Sequence, residues 1–164
     1  MTFRLLIIFT LLLFGCAESI PDEQNSSASS PVDSTLVLGV SPFDNYHHVI
    51  KNSAFKEYKN RWAFLESEQL LGYTAKCEVK VVLDDSVATH IHADVFPASA
   101  NETEALWQKM FDHVCALYGQ TTHDDGFAAW NDLTIQERKF EIHLTNDSRE
   151  VGKPYIGLVC DEKY

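Results

Sequence analysis

The amino-acid sequence predicts an α+β domain, an antiparallel sheet of about five strands with one or two helices packed on one face. Three observations carry the prediction. Residues 73–95 alternate apolar and polar side chains around a short polar turn, residues 101–118 repeat apolar side chains at helical spacing, and strand-like runs return at 139–144 and 155–160.

Taken in order, "LVLGV" at 36–40 reads as a short strand. Ser41-Pro42 reads as an N-cap and first helical position, opening a helix through about Asn52. Phe43, Tyr46, Val49 and Ile50 fall on its inward face. In the next segment Cys77, Val79, Val81 and Leu83 alternate with Lys76, Glu78 and Lys80. Asp84-Asp85-Ser86 forms a turn, after which Val87, Thr89, Ile91, Ala93 and Val95 alternate with His90, His92 and Asp94. Two half-buried strands joined this way make a hairpin. With Leu83 facing Val87, Lys80 stands opposite His90, Glu78 opposite His92 and Lys76 opposite Asp94.

The longest helix follows. Asn101 with Glu104 forms the capping pair, and Leu106, Met110, Val114 and Leu117 form the stripe, widened by Trp107, Phe111 and Tyr118. Gly119 closes the helix. Phe127 to Trp130 is a short aromatic strand, and Phe140, Ile142 and Leu144 alternate with Lys139, Glu141 and His143. Tyr155 to Cys160 is a nearly continuous apolar run, the signature of a central strand. The sequence shows no internal repeat.

Composition narrows the partners. With 13 basic and 24 acidic residues the chain has a formal charge of −11. An acidic body repels nucleic acid and anionic lipid, so a basic or neutral partner is expected.

The first residues differ from the rest. Met1 to Arg4 supply one positive charge, and Leu5 to Phe14 form an apolar run of about ten residues, half the length a membrane-spanning helix needs. The run ends in Leu13-Phe14-Gly15-Cys16, which resembles the lipobox of bacterial prolipoproteins at Leu13, Gly15 and Cys16. Phe14 is bulkier than the residue usual in that family. The resemblance implies a signal peptide over 1–15 and a mature chain beginning at Cys16, whose thiol carries a diacylglyceryl group and whose amine carries an acyl chain. It thus implies attachment to the membrane at the periplasmic face of the cell envelope. Ala17 after the Cys points to the outer membrane. Residues 16–35 contain Ser, Pro and acids with few aliphatics, a composition that makes a tether. A single globular domain is expected over 36–164.

The stretch "THIHADV" places His90, His92 and Asp94 at alternate positions. It is similar to the first five positions of the His-x-His-x-Asp-His motif of metallo-β-lactamase-fold hydrolases, but Val95 stands where the last His belongs. Glu78, His90 and His92 are the candidate ligands for a zinc-like ion. The competing expectation is a solvated hairpin face on which opposite charges pair. His47, His48, His113, His123 and His143 are expected at solvated surface. Trp62, Phe64 and Trp130 are candidate contact aromatics, each with a place in the core as the alternative.

Apart from Cys16, three cysteines remain at 77, 115 and 160, open either to one disulfide or to three buried thiols. No nucleophile elbow, phosphate loop, HExxH or dinucleotide fingerprint occurs, so no catalytic residue is assigned and no cofactor beyond the covalent lipid is expected. The sequence therefore reads as a lipid-anchored binding or scaffolding module with an envelope protein partner and no nucleic acid. A metal-binding protein or hydrolase using His90, His92 and Asp94, and an immunity or inhibitor lipoprotein, are the alternatives.

Overall fold

An eight-stranded antiparallel sheet in the order β1-β2-β3-β4-β8-β7-β6-β5 forms the body of the protein. The computed structural model describes residues 34–164; residues 1–33, with the leader, Cys16 and nearly all of the tether, lie outside the described residues. The elements are α1 (Tyr46–Lys51), β1 (Phe55–Lys59), β2 (Trp62–Leu70), β3 (Tyr73–Asp84), β4 (Val87–Pro97), α2 (Ala100–Tyr118), β5 (His123–Asp124), β6 (Phe127–Ile135), β7 (Arg138–Thr145), α3 (Ser148–Val151) and β8 (Ile156–Lys163). The α+β class is as expected, with eight strands where the sequence predicts about five.

The strands that escape the sequence reading are β1, β2 and β5. β1 is a polar edge strand, FKEYK, and β5 has two residues. β2 begins with four consecutive apolar residues, Trp62-Ala63-Phe64-Leu65, which erase the period-two signal because both faces of the strand are apolar there.

Two meanders, β1–β4 and β5–β8, are joined by α2 and meet along β4 and β8, from His90↔Asp161 to Val95↔Ile156. The last strand therefore sits between β4 and β7, in the centre that its apolar run predicts. Each meander follows a helix, so the topology repeats although the sequence does not.

One face of the sheet is buried. Ala75, Cys77, Val79 and Val81 on β3, Ile91, Ala93 and Val95 on β4, Phe140, Ile142 and Leu144 on β7, and Ile156, Leu158 and Cys160 on β8 are all nearly inaccessible. α2 lies across them with Leu106, Trp107, Met110, Phe111 and Val114 turned inward. Its N-cap is Ser99, whose hydroxyl accepts from Glu102 N, and not the expected Asn101. Gly119 ends the helix with φ of 96°, a conformation open to glycine at little cost.

The N-terminal expectations shift. Residues 36–40 form a tight turn, with Val37 and Val40 exchanging backbone hydrogen bonds of 2.9 and 3.1 Å around Leu38-Gly39 at positive φ. Residues 41–45 are a strap and no helix. Phe43 N donates to Ala88 O and Ala88 N to Asp44 O, each 2.8 Å. The strap occupies the edge of β4 beyond the reach of β8, and α1 starts only after Asn45, whose side chain accepts from His48 N.

The β3–β4 register also differs from the expectation. Asp85-Ser86 is a two-residue turn with both φ values positive, and next to it the register shifts in a bulge between Val82 and Leu83, opposite Ala88 to His90. Lys80 therefore faces His92, Glu78 faces Asp94, and Val82 faces His90. The bulge also sends Ala88, rather than Thr89, into the core.

Cys77, Cys115 and Cys160 are free and buried. Burial pushes the Cys77 thiol up to about 12, and Cys160 is raised further by burial and the nearby Asp161 carboxylate. The native domain is expected to leave all three unreacted with a thiol reagent near pH 8 and to expose them together on unfolding. A fast-reacting thiol in the native state would contradict this packing.

Candidate functional site: the open face of the sheet

Because strand side chains alternate, the residues between the buried ones form the opposite face. α2 and the 36–43 segment pack on the first face, so among the described residues no helix covers the second. Its rows can be read across the strands from the register. One row runs Lys59, Trp62, Val82, His90, Asp161, Glu141; the next runs Glu57, Phe64, Lys80, His92, Val159, His143; a third runs Glu66, Glu78, Asp94, Gly157, Thr145, Phe127. Phe96 and Tyr155 close the far end, rings 5.5 Å apart.

The face is neither plainly polar nor plainly apolar. Trp62, Phe64, Val82, Phe96 and Val159 are half-buried by their neighbours only, and Phe127 is 47% exposed. Trp62 meets the His90 ring at 5.7 Å and Phe127 the His143 ring at 5.8 Å. Trp130, in contrast, belongs to the core, where its indole Nε1 donates to Gly119 O at 2.9 Å. Of the three candidate contact aromatics, two therefore stand on the open face and one does not.

The polar centre of this face is Asp94. Tyr155 Oη donates to its Oδ1 at 2.8 Å, Lys80 Nζ to its Oδ2 at 3.2 Å, and His92 Nε2 lies 3.2 Å from Oδ1. Burial works to raise the carboxyl, but the hydrogen bonds from Tyr155 and Lys80 and the charges of His92 and Lys80 outweigh it and hold Asp94 below the usual range. The same contact acts in reverse on the phenol. Burial and the hydrogen bond to Asp94 push Tyr155 far up, so it remains a neutral donor.

The candidate metal ligands are each paired elsewhere. His90 pairs with Asp161 across to β8, His92 with Asp94, and Glu78 with Lys76. His90 and His92 have ring centroids 6.3 Å apart, and Glu78 faces Asp94 and not His92. Among the described residues no group of three or more His, Cys, Asp or Glu side chains converges with metal-ligand spacing.

Concavities lie elsewhere. One of about 550 Å³ opens beside Gly39, His48 and Asn52, but Asn52 Nδ2 already donates to Leu38 O and His48 Nε2 lies 3.1 Å from Gly39 O. Another of about 400 Å³ lies between the start of α2 and α3, lined by Glu104, Asp125, Asp147 and Arg149.

The Asp94 network gives a pH-dependent prediction. A depressed folded pKa contributes stability that is present above the unfolded value, near 3.8, and lost as pH falls through the folded one. Asp94→Asn is expected to cost about 1–2 kcal/mol above about pH 5, discounted for partial exposure, with the difference from wild type closing through the acid range. Urea melts of both proteins at several pH values check it. A difference that stays constant into the acid limb would remove Asp94 from this role.

Fold and face together define the class of protein: a sheet-dominated α+β domain that covers one side of its sheet and presents the other. No protein-family model matches the chain, and comparisons with curated proteins and with solved structures find no match.

Proposed function

We propose that this chain is a lipid-anchored binding module of the bacterial cell envelope, held through Cys16 and a short tether, that presents the open face of its sheet to an envelope protein. The observation that carries the reading is an uncovered sheet face on which Trp62, Phe64, Phe96 and Phe127 stand among ion pairs. Aromatic side chains with polar surroundings are what protein interfaces concentrate, whereas a face meant only for water has no use for four of them. The leader supports the anchor, since two or three acyl chains hold a protein stably at a membrane where one does so only marginally. Among the described residues no helix is long and apolar enough to cross a membrane.

A second reading, an immunity or inhibitor lipoprotein, is the special case in which the partner is a toxic enzyme. The aromatic, acid-edged face favours it.

Intact mass spectrometry of the membrane-extracted protein tests the anchor. A chain beginning at Cys16 and heavier by two or three acyl chains is expected, and Cys16→Ser is expected to move the protein out of the membrane fraction. An unlipidated chain that retains Met1 would overturn the anchored reading.

A further inference from the structure

We propose that the open face docks a basic protein, through an arginine- or lysine-rich loop laid over Trp62 and Phe64; this rests on the binding-module reading above. One row of the sheet begins with three acids. Glu66, Glu78 and Asp94 stand directly opposite one another on β2, β3 and β4. Like charges directly opposite across a sheet are destabilising, so three carboxylates in register call for cations.

The chain supplies two. Lys76 pairs with Glu78, and Lys80 donates to Asp94 at 3.2 Å. Glu66 is exposed and, among the described residues, forms no ion pair of its own. On the edge strand Glu57 stands directly across from Phe64 and Lys59 across from Trp62, so the Phe64 end of the aromatic pair is flanked by carboxylates at 57 and 66. Further along, Lys163 is held by Glu141 at 2.7 Å. The lysines of the centre are thus neutralised within the sheet; Lys59 stands at the Trp62 edge, and what the Phe64 end offers a partner is aromatic surface beside the carboxylates of Glu57 and Glu66. A guanidinium can stack on an indole or phenyl ring and bond a carboxylate at once.

Two further considerations select the occupant. A second copy would bring an equal negative charge, −11 for the whole chain, against the same face, whereas a basic protein is drawn to it. The face is also large enough. At ~4.8 Å per strand and ~25 Å of strand length, the seven longer strands cover on the order of 800 Å², about one partner's share of a standard interface.

The test uses the full-length protein in its host, with a photo-crosslinking phenylalanine analogue at position 64 or, as a control, at Gln108 on the outward side of α2. The crosslinked protein is then identified and purified, and its affinity is measured for the wild type, for Glu66→Lys and for Phe64→Asp, each checked for native circular dichroism. Expected are a crosslink from position 64 to a protein of basic isoelectric point, none from 108, and weakening on the order of tenfold by Glu66→Lys that shrinks as salt rises. Glu66 is exposed, so its reversal leaves the core intact even where Phe64→Asp does not fold. A neutral or acidic protein or a second copy crosslinked at 64, or a Glu66→Lys protein that binds as wild type, would overturn the basic-partner inference and leave the binding-module reading standing. Crosslinks from 108 alone, or from neither position, would overturn both.

Discussion

Phe140→Ala is expected to cost about 3–5 kcal/mol, a large part of the roughly 5–15 kcal/mol that holds a domain of this kind folded. Phe140 is 1% exposed on β7 and is flanked on the buried face by Phe43, ring centroids 6.3 Å apart and perpendicular, and by Tyr118 at 5.7 Å. It therefore joins three parts of the chain distant in sequence: the N-terminal strap, the end of α2 and the second meander. Phe43 has φ of 66°, unfavourable for a bulky side chain, and is held there by Phe140 below and by the Arg138 guanidinium 4.6 Å from its ring. Arg138 is itself fixed by two hydrogen bonds of 2.5 Å to Glu162, whose side chain is only 8% exposed. Truncating Phe140 leaves a cavity and removes the support of the strap. The urea midpoint should fall with little change in slope, and amide exchange at Phe43 should accelerate more than in β3. A loss below about 1.5 kcal/mol would mean that the core closes over the gap and that Phe140 is not the joint described.

The second large effect concerns Gly157, in the centre of the open face. A Cβ built there would lie 2.9 Å from Thr145 Oγ1 and 3.3 Å from Tyr155 Oη. Gly157 pairs with Asp94 on one side and Thr145 on the other, and the Tyr155 side chain crosses it to reach Asp94. Thr145 cannot yield freely, because its hydroxyl donates to Asp147 at 2.8 Å. Gly157→Val is therefore expected to cost about 1–3 kcal/mol through overpacking and to displace Tyr155 from Asp94. The diagnostic is coupling. In a Tyr155→Phe background part of this cost should already have been incurred, so the two effects should fall short of additive by more than about 0.5 kcal/mol. Strict additivity would show that Tyr155 does not lie over the glycine. Gly157→Ala should follow with a smaller loss.

Much of the scaffold is legible in the residues. The alternation along β3 and β4, the stripe of α2 and the continuous apolar run of β8 each report a local environment, half-buried, one-sided or buried on both faces, and local environments leave periodic marks. The candidate site is legible only in fragments. His90, His92, Asp94 and Glu78 do share one face, but the partners Asp161, on β8, and Tyr155, just before it, come more than sixty residues later, and no spacing predicts that β8 will lie beside β4. The missed strand β2 is the most instructive case. Trp62 and Phe64 erase its alternation because the open face carries aromatics where water alone would select polar residues, so the lost signal marks the surface proposed to function. Four apolar residues in a row at 62–65 were the visible sign of it.

The acidic charge, the α+β class, the hairpin, the long helix, and the lipobox-like leader from which an anchor is expected can be read from the residues in order. These depend on composition and on neighbours within a turn or two. The β3–β4 register, which a two-residue turn and a bulge displace, the central insertion of β8, and the collection of aromatics, histidines and carboxylates on one face emerge only in the folded chain. Those features arise from pairing between distant strands, where a shift of a single residue would exchange the two faces of the sheet.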